Sequence, residues 1–375
     1  TRAEYGLLKP LIQRVLKDTT LELQLIVTGM HLSPEFGMTI SEIEEDEIPI
    51  SKKVESLLSS DTEVGIAKSM GLGLLSLTEA LSELNPDILF VLGDRTEIFS
   101  AVVSAYILRI PIAHISGGET TEGAYDEGIR HSITKMSYFH FPSTEMYKKR
   151  IIQLGESPDR VFNVGAMSME NIKSLDLLNK DEFAKSLSFS FEQKNILVTF
   201  HPVTLEDSSV EYQFGELVKS LDKLENTHII FTKPNSDNGG RKLIDLIDKY
   251  ASENNHVFSY TSLGQLRYLS ALQHVDMVVG NSSSGLVEVP CFKIPTINIG
   301  DRQAGRYMPK SVINAEMNAD SISQAIEKAY SSNFKKEITN MDNPYGEGHS
   351  SEKIVDIIKN STTIDLKKKF YDIKF

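Results

Sequence analysis

Among its 375 residues the chain has a single cysteine, Cys291, and no tryptophan. One thiol cannot close an intrachain disulfide, so stability has to come from the core, and the cytoplasm is the simplest expected compartment. Neither a CxxC pair nor an HExxH helix occurs, so no metal site is expected. A Walker-type GK[ST] is missing as well. No apolar run reads as long enough to span a bilayer, and nothing near the start reads as a signal peptide. Positive charge is scarce: 39 Lys and Arg stand against 52 Asp and Glu, a net charge of −13. Such a surface repels phosphate backbones and anionic lipid, which argues against nonspecific nucleic-acid or membrane binding. It still allows a local basic pocket for an anionic ligand.

The residues that are present fit a soluble α/β protein of two domains. Hydrophobic residues make up 40% of the chain, enough at this length for two cores. Apolar strands alternate with helical patterns: LELQLIVTG, a helix over 64–84, PDILFVLGD, a helix over 98–108, PIAHIS, a helix over 127–136, YFHFPS, a helix over 145–154, and RVFNVG. This alternation predicts parallel sheets with helices on both faces. The rhythm blurs over 166–194 and restarts at NILVTFHP, followed by THIIFTKP, HVFSY, VDMVVGNSSSG and IPTINIG with helices between them. The chain opens on TRAEYGLLKPLIQRVLKD, with Leu7, Leu8, Leu11, Ile12 and Val15 on one helical face. A helix in such a pattern follows a strand, so a short apolar strand with a glycine is expected ahead of it.

Ligands of open parallel sheets bind at the carboxyl ends of the strands, so motifs there carry the functional reading. GDRTE (93–97) puts Asp94 at such an end; its alternative role is a helix N-cap. HISGGETTEGAYDEGIRHS (114–132) holds four carboxylates, two histidines and an arginine. Its double glycine permits a tight turn before Glu119. Asp126 and Glu127 in a first helical turn also suit the helix dipole, but that does not account for Glu119, Arg130 and His131 together. Several carboxylates in a polar site suit removal and return of a proton. FHPVT (200–204) places His201 at a strand end, able to meet a leaving phosphate or simply to bond backbone.

VVGNSSSGLVEVP (278–290) is the strongest single motif. A strand ending in glycine and Ser282, Ser283 and Ser284, with Gly285 opening a helix, offers N–H and hydroxyl donors to an anion. Glu288 lies where it can accept from a ribose. The plainer alternative is a serine cap with a solvent-facing glutamate. GDRQAGR (300–306) adds Arg302 and Arg306 for a diphosphate. Lys233 and Asn235 end a further strand in TKPNSDNGG, and His31 and Arg2 hold comparable places near the start.

TRAEYG, VTGMHLSPEFG, GDR, GGE with DEGIRHSITK, FHPVT, GNSSSGL and INIGDRQ followed by GR, in that order, resemble the hydrolysing UDP-N-acetylglucosamine 2-epimerases of sialic-acid-type pathways. The resemblance spans nearly the whole chain. It implies a glycosyltransferase-B-like fold: two Rossmann-like, doubly wound domains facing a deep cleft, divided as 1–165 plus 358–375 and 166–357. It implies anti elimination of UDP to a 2-acetamidoglycal, then syn hydration, giving an N-acetylmannosamine-type sugar and UDP without a cofactor. By position, Asp94 and Asp126 correspond to catalytic carboxylates and His201 to the histidine near the leaving phosphate. Ser282 and Glu288 correspond to phosphate and ribose contacts, and Arg2 to an arginine near the diphosphate. Some members read HIEGGE where this chain has Ser116, so the base is Glu119, Asp94 or Asp126. The segment LLSSDTEVGIAKSMGLGL (57–74) also resembles legionaminic-type forms, which act on a UDP-2,4-diacetamido-2,4,6-trideoxyhexose. The family suggests a homodimer. The alternatives are a non-hydrolysing epimerase, a glycosyltransferase of the same fold, and an inactive sugar-nucleotide sensor.

Overall fold

A computed structural model describes residues 2–34, 38–59, 62–120, 126–201, 209–234, 240–361 and 363–374, without the side chains of residues 2, 3, 240 and 241. The chain divides into two compact units. Unit 1 is Thr1–Lys173 with Tyr345–Phe375, and unit 2 is Ser174–Pro344. The expected boundaries at 165/166 and 357/358 thus move outward from unit 1. The reason is packing: Met167, Ile354 and Val355 join Leu11, Val164 and Phe141 in one core of unit 1. Arg14 Nε also donates to Ser351 Oγ at 3.1 Å, tying the first long helix to the last.

Unit 1 holds β1 (Ile26–Thr28), β2 (Lys52–Val54), β3 (Leu89–Leu92), β4 (Ile112–Ile115) and β5 (Phe139–Phe141). β1 pairs with β2, and β3-β4-β5 form a second sheet; every pairing is parallel. Successive residues of β4 enter different clusters: Ile112 packs beside Val91, Val102 and Ile133, and Ala113 and Ile115 beside Leu92 and Phe139. Both faces are therefore covered, which is why the strand reads as apolar apart from the buried His114. The expected strand RVFNVG makes only an isolated bridge, His140 to Val161. Helix Ile40–Glu45 and strand β2 were not legible from the pattern.

The helix Glu63–Leu84 corrects the reading that no apolar run spans a bilayer. By length and composition it is apolar enough, with a mean hydropathy of 1.2 over its best window. One face packs on the helix Thr96–Ile107. Ser100 Oγ donates to Met70 O at 3.0 Å and Thr78 Oγ1 to Ser104 Oγ at 2.9 Å, while Leu77 and Leu81 enter the core. Its other face leaves Val64 and Leu75 exposed, and Tyr106 and Ile107 of its partner helix are exposed as well.

Unit 2 is one six-stranded parallel sheet: β6 (Lys194–Thr199), β7 (Thr227–Thr232), β8 (Val257–Tyr260), β9 (Met277–Gly280), β10 (Thr296–Ile299) and β11 (Val312–Ala315). Their order is β11-β10-β9-β6-β7-β8. The chain starts in the middle, winds outward to one edge and returns to wind to the other. The strand order thus reverses between β6 and β9, the switch point at which doubly wound sheets bind ligands. Ile196 and Val198 face one cluster, and the alternate Leu197 is also fully buried, so this sheet too is covered on both faces.

Candidate functional site

In unit 1 the site residues gather at the carboxyl ends of β3 and β4. Gly93, at φ +80°, turns the chain out of β3. The cap of the next helix is Arg95, without a side-chain cap bond. Asp94 is therefore not a helix cap. Its carboxylate is ion-paired with Arg130, which is 6% exposed. Arg130 also donates to Ser116 O at 2.8 Å and lies 3.8 Å from Glu119 Oε2. One guanidinium thus joins the loop after β3 to the loop after β4. Ser143 Oγ donates to Glu119 Oε1 at 3.1 Å and aims its carboxylate.

The glycines of this loop are dictated by space. A Cβ on Gly117 would lie 2.9 Å from His114 Nδ1, and one on Gly118, at φ +77°, 2.5 Å from the Tyr147 carbonyl oxygen. His114 itself is structural. It is fully buried, and its Nε2 donates to the Gly93 carbonyl at 2.8 Å, which fixes the tautomer and holds the Asp94 turn. Burial pushes its pKa down to about 3.

Asp126 opens the helix Asp126–Met136. Burial, then the nearby Asp94, pushes its carboxyl above the usual range, Arg95 and Arg130 oppose that, and Glu97 adds to it. Glu97 thus also stands among the charges around Asp126. Asp94, Glu119, Asp126 and Arg130 are brought together. His131 is not part of that pairing: its Nε2 meets Glu127 Oε1 at 2.9 Å. It lines instead a cavity of about 520 Å³ with Tyr106, Ser132, Lys135, Met136 and Leu154. His31 is buried, its Nδ1 2.8 Å from Thr39 Oγ1, in the turn after β1. That turn approaches the others through Gly29, where a Cβ would lie 3.0 Å from Glu97 Oε1. Arg2 lies in the helix Arg2–Lys17, but its side chain is outside the described residues.

In unit 2 the organiser is Asn281, a fully buried residue directly after β9. Its side-chain Oδ1 accepts from the His201 N–H at 2.8 Å and its Nδ2 donates to the His201 carbonyl at 2.9 Å. The Asn281 carbonyl accepts from Arg302 Nη1 at 3.0 Å and Gln303 Nε2 at 2.8 Å. Three loops predicted to carry ligand groups, after β6, β9 and β10, are thereby bonded to one residue at the switch point. Gly280 allows it: a Cβ there would lie 2.0 Å from the Thr199 carbonyl oxygen.

Ser282, Ser283 and Ser284 follow, but the helix they precede is a single turn, Ser284–Val287, running into a 3₁₀ turn at Val289–Phe292. Little macrodipole develops over one turn, so the available donors are the individual N–H and hydroxyl groups. Ser283 caps that turn without a side-chain cap bond, contrary to the plainer alternative. Gly285 lets the turn sit on β10; its Cβ would lie 2.6 Å from Thr296 Cγ2. Glu288 is partly buried rather than solvent-facing, and burial pushes its carboxyl up while Ser284 draws it down. Lys233 is engaged by Asp248 at 2.7 Å, so an anion at β7 would compete with a carboxylate for it. Arg306 is partly exposed on the turn after β10. Asn235 lies outside the described residues.

Among the described residues no group of three or more His, Cys, Asp or Glu has metal-holding geometry. The carboxylates of unit 1 are arranged around arginines, which suits charge balance and proton transfer.

The family model described as UDP-N-acetylglucosamine 2-epimerase matches residues 13–359. The chain belongs to this family. It is 42% identical over 376 residues to a GDP/UDP-N,N'-diacetylbacillosamine 2-epimerase (hydrolyzing) of Campylobacter jejuni, covering 100% of this chain and 97% of the relative. It is 40% identical over 377 residues to polysialic acid biosynthesis protein P7 of Escherichia coli, covering 100% and 96%. Among solved structures, the UDP-GlcNAc 2-epimerase of Neisseria meningitidis bound to UDP-GlcNAc aligns with TM-score 0.75 at 20% identity, over 96% of this chain and 98% of that one. The expected fold class, glycosyltransferase-B-like α/β with parallel sheets, holds.

Asn281, Gln303, Glu97 and Ser143 were not singled out as site residues from the sequence. Asn281 had a signal, a polar residue closing the apolar run MVVG. Ser143 had none, because its role depends on β5 lying beside β4.

Proposed function

We propose that the protein is a hydrolysing UDP-2-acetamidohexose 2-epimerase. A carboxylate removes the C2 proton as the C1–O bond to UDP breaks, leaving a 2-acetamidoglycal. Water then supplies hydroxide to C1 and a proton is returned to C2 from the opposite face. The products are UDP and the free C2-inverted sugar, so atoms balance as substrate plus one water. The observation that carries this reading is the grouping of Asp94, Glu119 and Asp126 around Arg130. A glycosyltransferase would not need it, because it forms no bond at C2. Asp126, whose carboxyl is pushed upward by burial and by the nearby Asp94, is the group we assign to proton exchange at C2. Asp94 and Glu119 stabilise charge and share the second proton transfer. His201 is assigned to the leaving diphosphate, together with Ser282, Ser283, Arg302 and Arg306, and Glu288 to the ribose. Arg2, His31, Lys233 and Asn235 complete the proposed substrate contacts, and Arg130 and His131 support the sugar side.

For the sugar we propose UDP-N-acetylglucosamine as the substrate. The name of the 42% identical relative favours a second reading, the UDP-2,4-diacetamido-2,4,6-trideoxyglucose form. Both share the reacting C1 and C2. The exposed apolar side chains Val64, Leu75, Tyr106 and Ile107 of this helix pair support a homodimer. Offering each nucleotide sugar in turn and reading products by proton NMR tests the assignment. Free sugar plus UDP from one of them is expected. UDP-linked epimers alone would make the enzyme non-hydrolysing, and inertness toward both would move the assignment to a transferase. Sedimentation at micromolar concentration tests the dimer, which a monomer would exclude.

A further inference from the structure

Tyr268 lies in the helix Gly264–Leu272, where its spacing reads as a core aromatic, and Leu269 and Leu272 beside it are indeed buried. Its hydroxyl does something else. Tyr268 Oη donates to Ser284 Oγ at 2.7 Å. A serine hydroxyl has one proton to give, and once its oxygen accepts from a phenol that proton is directed elsewhere. Glu288 is one turn further on, its N–H bonded to the Ser284 carbonyl at 3.0 Å, and its carboxylate takes the Ser284 hydroxyl bond. On the other side Thr199, the last residue of β6, bonds the Tyr268 oxygen. A chain of hydroxyls, Thr199–Tyr268–Ser284, thus runs from the switch point to the Glu288 carboxylate. Burial pushes both Tyr268 and Glu288 upward, while each keeps part of its surface exposed to a ligand.

We infer that Tyr268 is a positioning residue for ribose recognition, acting through the Ser284 hydroxyl to aim the Glu288 carboxylate at the sugar's vicinal hydroxyls. The inference rests on the reading that unit 2 binds uridine diphosphate. Two hydroxyls of a cis-diol are matched by the two oxygens of one carboxylate only if the carboxylate is held in one orientation. The Ser284 bond fixes that orientation, and Tyr268 fixes Ser284. Without the phenol, Ser284 is free to turn its proton to another acceptor and Glu288 loses its aim.

The test is calorimetric titration of the full chain with UDP, 2'-deoxy-UDP and 3'-deoxy-UDP, in wild type, Tyr268→Phe, Ser284→Ala and the double variant. Wild type is expected to prefer UDP over each deoxy analogue by about 10-fold or more, the scale of a lost bond to a charged acceptor. Tyr268→Phe is expected to lose most of that preference while its affinity for the deoxy analogues changes by no more than about 2-fold. The double variant should match either single one, because both break the same chain. In turnover the effect should appear in KM, with kcat within about 3-fold of wild type. If Tyr268→Phe weakens UDP and its deoxy analogues equally, or changes neither, the inference fails while the nucleotide reading stands. The same holds if wild type binds UDP without discriminating ribose hydroxyls. If wild type binds no UDP, both fall. Should Tyr268→Phe not fold, Ser284→Ala alone must erase the preference, and its retention would overturn the inference.

Discussion

The side-chain amide of Asn281 occupies both backbone hydrogen-bonding groups of His201, at 2.8 and 2.9 Å. It thus fastens the end of β9 to the segment leaving β6 where the two strands part. Neither partner can be replaced by water, because Asn281 is fully buried. Asn281→Ala is expected to destabilise unit 2 by about 1–3 kcal/mol, from the loss of its two hydrogen bonds to the His201 backbone. UDP binding should weaken with it. Asn281→Asp keeps the acceptor for the His201 N–H but sets an oxygen against the His201 carbonyl, and should be no better. Urea denaturation with UDP titration checks both; wild-type stability in Asn281→Ala would remove Asn281 as organiser.

Much of unit 2 was legible because its sheet is buried on both faces. Strands such as NILVT and DMVVG are then continuous apolar runs closed by turn residues. The strand order was not legible, since nothing in a run such as VFSY says which neighbour it chooses. The same limit applied to the site. Asp94 stood out at a strand end, but whether it capped a helix or met Arg130 depended on which residue starts the helix. The structure gives that place to Arg95. The serine run was legible as a donor cluster, whereas the single-turn length of its helix was not. Lys233 read as a ligand because its partner Asp248 is 15 residues away, on a helix whose facing could not be fixed from the sequence.

Removing either charge at the sugar side should separate chemistry from binding. Asp94→Asn and Asp126→Asn are each expected to lower turnover by about 10²–10⁴-fold, the usual worth of a positioned proton-transfer group. UDP affinity should stay within about 3-fold of wild type, because the nucleotide contacts are assigned to unit 2. Rapid-quench turnover and UDP titration read the two effects separately. A collapse of UDP affinity in these variants would give the carboxylates a structural role.

Asp126 also makes a pH prediction with a fixed sign. Its carboxyl is raised in the folded chain, by burial first and by Asp94 next. The folded state therefore binds that proton more tightly than the unfolded state does. Its contribution is complete below the unfolded carboxylate pKa and is lost as pH rises through the folded one. Asp126→Asn cannot ionise, so its stability relative to wild type should grow across that interval and level off above it. Thermal melts of both proteins across the acid-to-neutral range check this. A constant difference would contradict a raised pKa at Asp126.

The opposite sign holds at Glu156, which is 1% exposed. Burial pushes this carboxyl up, but hydrogen bonds from His140, Lys135 and Lys368 outweigh that and hold it at about 2. Its stabilisation is present above the unfolded value of 4.5 and lost as pH falls toward 2. Lys368 reaches it from the C-terminal segment at 2.9 Å and also donates to the Ser137 carbonyl at 2.7 Å. Lys368→Met should raise the midpoint of acid unfolding, because one of the bonds favouring the carboxylate is gone. It should cost about 1–3 kcal/mol at neutral pH from the unpaired groups left behind. Acid titration followed by circular dichroism checks it, and an unmoved midpoint would show that the C-terminal segment does not set the Glu156 charge.

The central claim is that a proton leaves and returns at C2 on the way to a free sugar. The measurement that tests it most directly is turnover in D₂O with the released sugar examined by NMR and mass spectrometry. One deuterium at C2, inverted configuration there and UDP as co-product are predicted. A released sugar that keeps its original hydrogen and configuration at C2 would mean simple hydrolysis at C1, and would contradict the account.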